Sequence, residues 1–129
     1  NINGRAPVLK GEFRMKIREI VPLLEAEVLC CEEDLDVEIY NACGSDMMSD
    51  VLAFVKDQAV LLTGLVNPQV IRTAEMMDMV CIVFVRGKMP DPSMIGLAEE
   101  RGIALLSCGQ RMFTACGLLY ENGLRGGCE

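Results

Sequence analysis

From Met15 onward the chain alternates between two hydrophobic periods. Ile17, Ile20, Val21 and Leu24 recur at helical spacing and predict a helix over 16–25, with Pro22 inside it as a kink or an early stop. Val28-Leu29-Cys30 reads as a brief strand, Glu32-Glu33-Asp34 as a solvated turn, and Val37-Glu38-Ile39-Tyr40 alternates like a half-buried strand. Ser45-Asp46 and Ser49-Asp50 are N-cap residue types standing ahead of Val51, Leu52, Phe54 and Val55, which predicts a second helix. Ala59-Val60-Leu61-Leu62 is an unbroken apolar strand, and Asn67-Pro68 opens a helix to about Met77, with Asn as cap and Pro at the first helical position.

The same device repeats twice more. Val80 to Val85 is the strongest strand signal and ends at Arg86-Gly87. Asp91-Pro92 then starts a helix that closes at Arg101-Gly102 as a glycine C-cap would. Ile103-Ala104-Leu105-Leu106 is the next apolar strand, ending at Ser107-Cys108-Gly109, and a last helix runs over about 110–121 to Asn122-Gly123. Three consecutive strand–helix units with fully apolar strands predict an α/β fold: one compact domain, a mostly parallel sheet, helices on both faces.

In such sheets ligands collect outside the carboxyl ends of the strands, where the following helices present their N-terminal N–H groups. The candidate ligand-binding rim is therefore Ser45, Asp46, Gly64, Asn67, Arg86, Gly87 and Ser107. Arg86, the cation ending the strongest strand, would meet a phosphate or carboxylate; the plain alternative is a surface arginine beside a turn glycine. Asp46 and Asp50, four apart, would share a face if helical and could form a carboxylate pair; capping residues answering the helix dipole are the simpler reading.

Composition narrows the chemistry. The 129 residues fit one domain, and 51% are hydrophobic, yet there are 4 Phe, 2 Tyr and no Trp, so the core is aliphatic. A formal net charge of −7 repels a phosphate backbone and argues against nucleic acid as a partner. The absence of histidine removes the commonest general base and any imidazole metal ligand. GxxxxGK[ST], GxGxxG and GxSxG are all missing. The seven cysteines are odd in number and contain no CxxC, which predicts reduced thiols packed as small hydrophobes, with Cys43 and Cys108 the loop positions to watch. The methionine cluster Met47, Met48, Met76, Met77 and Met79 reads as adaptable core filling. No apolar run approaches membrane-spanning length, so neither a membrane nor export is expected, and no metal or cofactor is. The opening 1–14, lacking either period, reads as an expression leader; 15–124 is the domain and 125–129 a frayed tail.

Val80-Cys81-Ile82-Val83-Phe84-Val85-Arg86-Gly87, Pro90-Asp91-Pro92 and Leu97 to Ser107, with Ser45 to Val51 upstream, resemble the DRTGG domain family and the related N-terminal domain of HPr kinase/phosphorylase. The resemblance spans Met15 to about Leu124, although no Asp-Arg-Thr-Gly-Gly occurs and apolar Leu65-Val66 follow Thr63-Gly64. It implies a non-catalytic regulatory domain in the cytoplasm, forming a homodimer, that senses a small anionic metabolite or nucleotide or docks onto a protein partner. Two other classes stay open at this point. One is a small enzyme using Asp46, Asp50 or a loop cysteine; the other is a purely structural oligomerisation module.

Overall fold

A computed structural model describes residues 13–54 and 57–127. Residues 1–12 of the expected leader 1–14, Val55 at the end of the second expected helix, and the last two tail residues lie outside the described residues. The strands are β1 (Met15–Lys16), β2 (Glu27–Cys30), β3 (Glu38–Ile39), β4 (Asn41–Gly44), β5 (Ala59–Thr63), β6 (Cys81–Phe84) and β7 (Ala104–Ser107). The helices are α1 (Ile17–Leu24), α2 (Met48–Leu52), α3 (Pro68–Met76), α4 (Pro92–Arg101) and α5 (Met112–Glu121), with a 3-10 turn at Glu32–Asp34.

Five strands form the main sheet in the order β2-β7-β6-β5-β4. β4, β5, β6 and β7 are mutually parallel, while β2 runs antiparallel to β7 with a register irregularity between Val28 and Cys30. The fold is thus a single α/β domain with a mostly parallel sheet. Every residue of β5, β6 and β7 is buried, which is why these strands read as unbroken apolar runs.

The expected strand over 37–40 divides in two. Glu38–Ile39 leaves the main sheet to pair with Met15–Lys16, and the sheet strand is the next segment, Asn41–Gly44, which the sequence presented as a loop. Asn-Ala-Cys-Gly carries no β-branched residue, so its conformation comes from its parallel ladder with β5 rather than from its own propensity.

Parallel crossovers β4-α2-β5, β5-α3-β6 and β6-α4-β7 all step the same way across the sheet. The right-handed rule places their three helices on one face, and α2 packs on α3 and α3 on α4 as it requires. α1 and α5 pack together on the opposite face. α5 crosses so near β4 that a Cβ at Gly44 would lie 2.7 Å from Cys116 Sγ and 3.3 Å from Met112 Sδ. Glycine there lets the first turn of α5 sit directly over the end of β4.

Side-chain caps set the starts of α3 and α4. Asn67 Oδ1 accepts from Gln69 N at 2.9 Å and Asp91 Oδ1 from Met94 N at 2.9 Å, each followed by Pro at the first helical position. Gly102, at φ 69°, ends α4. The core is aliphatic, with Phe84 the largest fully buried side chain.

Candidate functional site

The chain leaves β6 toward the α4 face and leaves β7 toward the α5 face. That divergence is where open α/β sheets form a ligand crevice. Here the crevice is closed by hydrogen bonds. Arg86 N donates to Gln110 O at 2.7 Å, Gly87 N to Cys108 O at 2.8 Å and Cys108 N to Phe84 O at 2.9 Å. The buried Ser107 hydroxyl donates to Lys88 O at 2.8 Å. Gly87 and Ser107, both expected to face a ligand, instead clamp these two loops together. Arg86 and Gly87 are consecutive left-handed residues, at φ 59° and 70°. For arginine that conformation costs about 1 kcal/mol or more, and the clamped loops hold it.

The β4–β5 side differs. Asp46 Oδ1 accepts from Gly64 N at 2.6 Å and from Thr63 Oγ1 at 3.2 Å, while Thr63 Oγ1 also accepts from Leu65 N at 3.1 Å. Asp46 therefore does not cap α2. The cap residue is Met47, and Ser45 Oγ accepts Met47 N at 3.0 Å in a local turn. Ser49 and Asp50 lie inside the helix whose start they were expected to cap, and Asp46 lies before it, so the two aspartates share no helical face. The two donors at the end of β5 hold Asp46 across the strand gap, and this outcompetes a capping role.

Over this platform lies Arg86. A Cβ on Gly64 would be 2.5 Å from Arg86 Nη2 and 3.4 Å from its Nε and Cζ, so the Nη2 end of the guanidinium fills the space that a side chain at residue 64 would need. Arg86 is exposed and takes part in no ion pair among the described residues. Asn67 uses its side-chain oxygen on its own helix, so α3 offers few free donors there. By contrast α5 begins at Arg111 with no side-chain cap, and its first turn lies over Gly44 at the same rim. Of the predicted residues the structure thus gathers Ser45, Asp46, Gly64 and Arg86, and turns Asn67, Gly87 and Ser107 to structural work. Sequence reasoning missed the uncapped start of α5. Gln110-Arg111, offering no Ser, Thr, Asn or Asp, was the available signal.

Among the described residues the thiols carry no sign of activation. Burial raises the pKa of Cys43 and Cys108, and it pushes Cys31 up to about 12. Cys108 lies in the loop after β7, as expected, and is buried there. Cys31 Sγ and the carboxylates of Glu33 and Asp34 lie within 4.8 Å of one another. The Cys31 thiol there is buried and donates to Ile103 O. A cleft of about 350 Å³ lies elsewhere, lined by Phe13, Arg14, Met15, Glu19, Pro22, Leu23 and Asn122. Its polar side chains are already engaged: Glu19 accepts Lys16 N, Asn122 donates to Leu118 O, and Arg14 covers the Tyr40 ring. Among the described residues no helix is long and apolar enough to cross a membrane.

No protein-family model matches the chain, and no curated protein matches it. Among solved structures it is similar to the CBS and DRTGG domains of the regulatory region of Clostridium perfringens pyrophosphatase, a structure complexed with the activator diadenosine tetraphosphate. The TM-score is 0.63 at 17% identity, over 84% of this chain and 47% of that one. The chain spans about half the length of that regulatory region, and the likeness is one of fold: a DRTGG-like α/β domain.

Proposed function

We propose that this domain is a non-catalytic regulatory module that binds a small phosphate-bearing anion, with nucleotides the first class to consider, at the strand-end rim. The observation that carries the reading is Arg86: an exposed guanidinium, unpaired among the described residues, laid on Gly64 in a chain of net charge −7. Arginine's planar fork matches phosphate oxygens in pairs, and the uncapped first turn of α5 adds N–H donors on the other side of the rim. Asp46 holds the Gly64 backbone in place beneath it. The fold likeness to a regulatory region solved with a nucleotide activator supports the same class of ligand. The reading includes a cytoplasmic setting, self-association as a homodimer and transmission of the bound state to a protein partner.

A thermal-shift panel of nucleoside mono-, di- and triphosphates, diadenosine polyphosphates and inorganic polyphosphates tests it. A ligand at 100 times its Kd stabilises the folded chain by about 2.7 kcal/mol. That rise is expected for at least one phosphate-bearing compound and is expected to vanish in Arg86→Ala. A panel without any shift, or a shift unchanged in Arg86→Ala, contradicts the proposal.

A further inference from the structure

Apolar side chains stand exposed at the end of the sheet that carries Arg86. Met47, Met89 and Phe113 are three of the six large hydrophobic side chains exposed among the described residues, and they lie in the segments that follow β4, β6 and β7. A bare inorganic anion has no use for apolar neighbours, whereas a ligand with an organic half does. Of the four phenylalanines Phe84 is buried, Phe13 and Phe54 are half-buried, and Phe113 alone is exposed, at 89%. Tyr120, at the far end of α5, has the Arg125 guanidinium 3.8 Å from its ring centroid. No such partner covers the Phe113 ring among the described residues.

Two short paths tie that ring to Arg86. Arg86 N donates to Gln110 O at 2.7 Å, and Phe113 follows three residues later, a span of at most about 11 Å. On the other side Met112 Sδ lies 3.3 Å from where a Cβ at Gly44 would stand. Two residues on, Asp46 holds Gly64, over which the Arg86 guanidinium lies. The guanidinium and the first turn of α5 therefore belong to one rim. Helical Cα–Cβ bonds tilt toward the N-terminus, so Phe113, the second residue of α5, leans toward that rim and away from the far end of the sheet.

A cation and an uncovered aromatic ring on one rim match the two halves of a nucleotide. Arginine takes phosphate oxygens in pairs, and every base has a π face that stacks on an aromatic ring. An oligophosphate without a base would use the first and leave the second in water. We infer that Phe113 is the base-stacking residue of the anion site, so that the ligand is a nucleotide with its phosphates on Arg86 and its base on the Phe113 ring. This rests on the phosphate-binding reading and supplies the organic half of the ligand.

Calorimetric titration of the full chain with ATP, GTP, CTP, UTP and inorganic triphosphate tests it, with circular dichroism confirming that each variant is folded. The wild type is expected to bind at least one nucleotide roughly tenfold more tightly than inorganic triphosphate. Phe113→Ala, a change at an exposed position, is expected to bring the two within about threefold of each other, as loss of the stacking contact would. The chain has no tryptophan, so Phe113→Trp places a single indole at the site. Its emission is expected to be quenched by the preferred nucleotide and unmoved by triphosphate. Absence of any Arg86-dependent binding overturns this inference and the phosphate-binding reading together. Triphosphate binding as tightly as every nucleotide, a preference that survives Phe113→Ala, or an indole indifferent to bound nucleotide overturns the stacking role alone and leaves the phosphate site standing.

Discussion

The two halves of the strand-end rim use the same kind of residue for opposite purposes. At β6–β7, where topology opens a crevice, Gly87, Ser107 and Cys108 close it with loop-to-loop hydrogen bonds. At β4–β5, Asp46 holds the Gly64 backbone and the Arg86 guanidinium lies over Gly64, in no ion pair among the described residues. Arg86 joins the halves: its backbone belongs to the closed one and its side chain to the open one. Topology nominates a site, but satisfaction of the backbone polar groups decides which part of it remains for a ligand. The closed half should therefore govern stability and the open half binding.

That division can be broken by substitution. The largest stability effect is expected for Gly87→Ala, where a side chain must adopt φ 70° with open space around it. The cost is conformational, about 1–2 kcal/mol, seen as a melting temperature lower by several degrees with ligand affinity intact. Ser107→Ala removes the bond to Lys88 O and is expected to cost about 1 kcal/mol, again without altering binding, as urea denaturation and a ligand titration would read.

The open half should behave in reverse. Arg86→Gly relieves the left-handed arginine but adds unfolded-state freedom, so stability should change by less than about 0.5 kcal/mol. The ligand response should be lost. Gly64→Ala displaces only the end of a flexible side chain and is expected to leave the melting temperature within about 2 °C while weakening binding several-fold by calorimetry. If Arg86→Gly proved strongly destabilising, or Gly64→Ala bound normally, the division between the halves would fail.

The smallest effect concerns the thiols. Burial raises the Cys31 pKa to about 12, so the folded state disfavours its thiolate. The stability this contributes is complete below the ordinary thiol value near 9 and is lost as pH rises toward 12. Urea midpoints should be flat from pH 7 to 8.5 and fall above pH 9. Thiol reagents at pH 8 should reach half-buried Cys43 and Cys116 before Cys30, Cys31 and Cys81.

Much of the fold was legible because its strands are buried on both faces. Val80 to Val85 and Ile103 to Leu106 announce themselves by composition, and Asn67-Pro68 and Asp91-Pro92 mark helix starts by chemistry that the structure repeats bond for bond. Strand β4 was illegible because an edge strand of Asn-Ala-Cys-Gly takes its conformation from β5. At the site, Arg86 and Asp46 were found by position, but their roles depend on partners 22 and 18 residues away, at Gly64. The same limit hid the closed half, since nothing local in Ser107 or Gly87 reveals that each binds the other's loop.

An NMR titration of the amide-labelled protein with inorganic triphosphate locates binding at the rim as well as detecting it. Saturable shifts are expected at Gly64, Leu65, Arg86 and Phe113, absent in Arg86→Ala, while Met15, Leu23 and Asn122 around the other cleft stay still. Shifts confined to that cleft, or spectra unchanged at millimolar triphosphate, would contradict it.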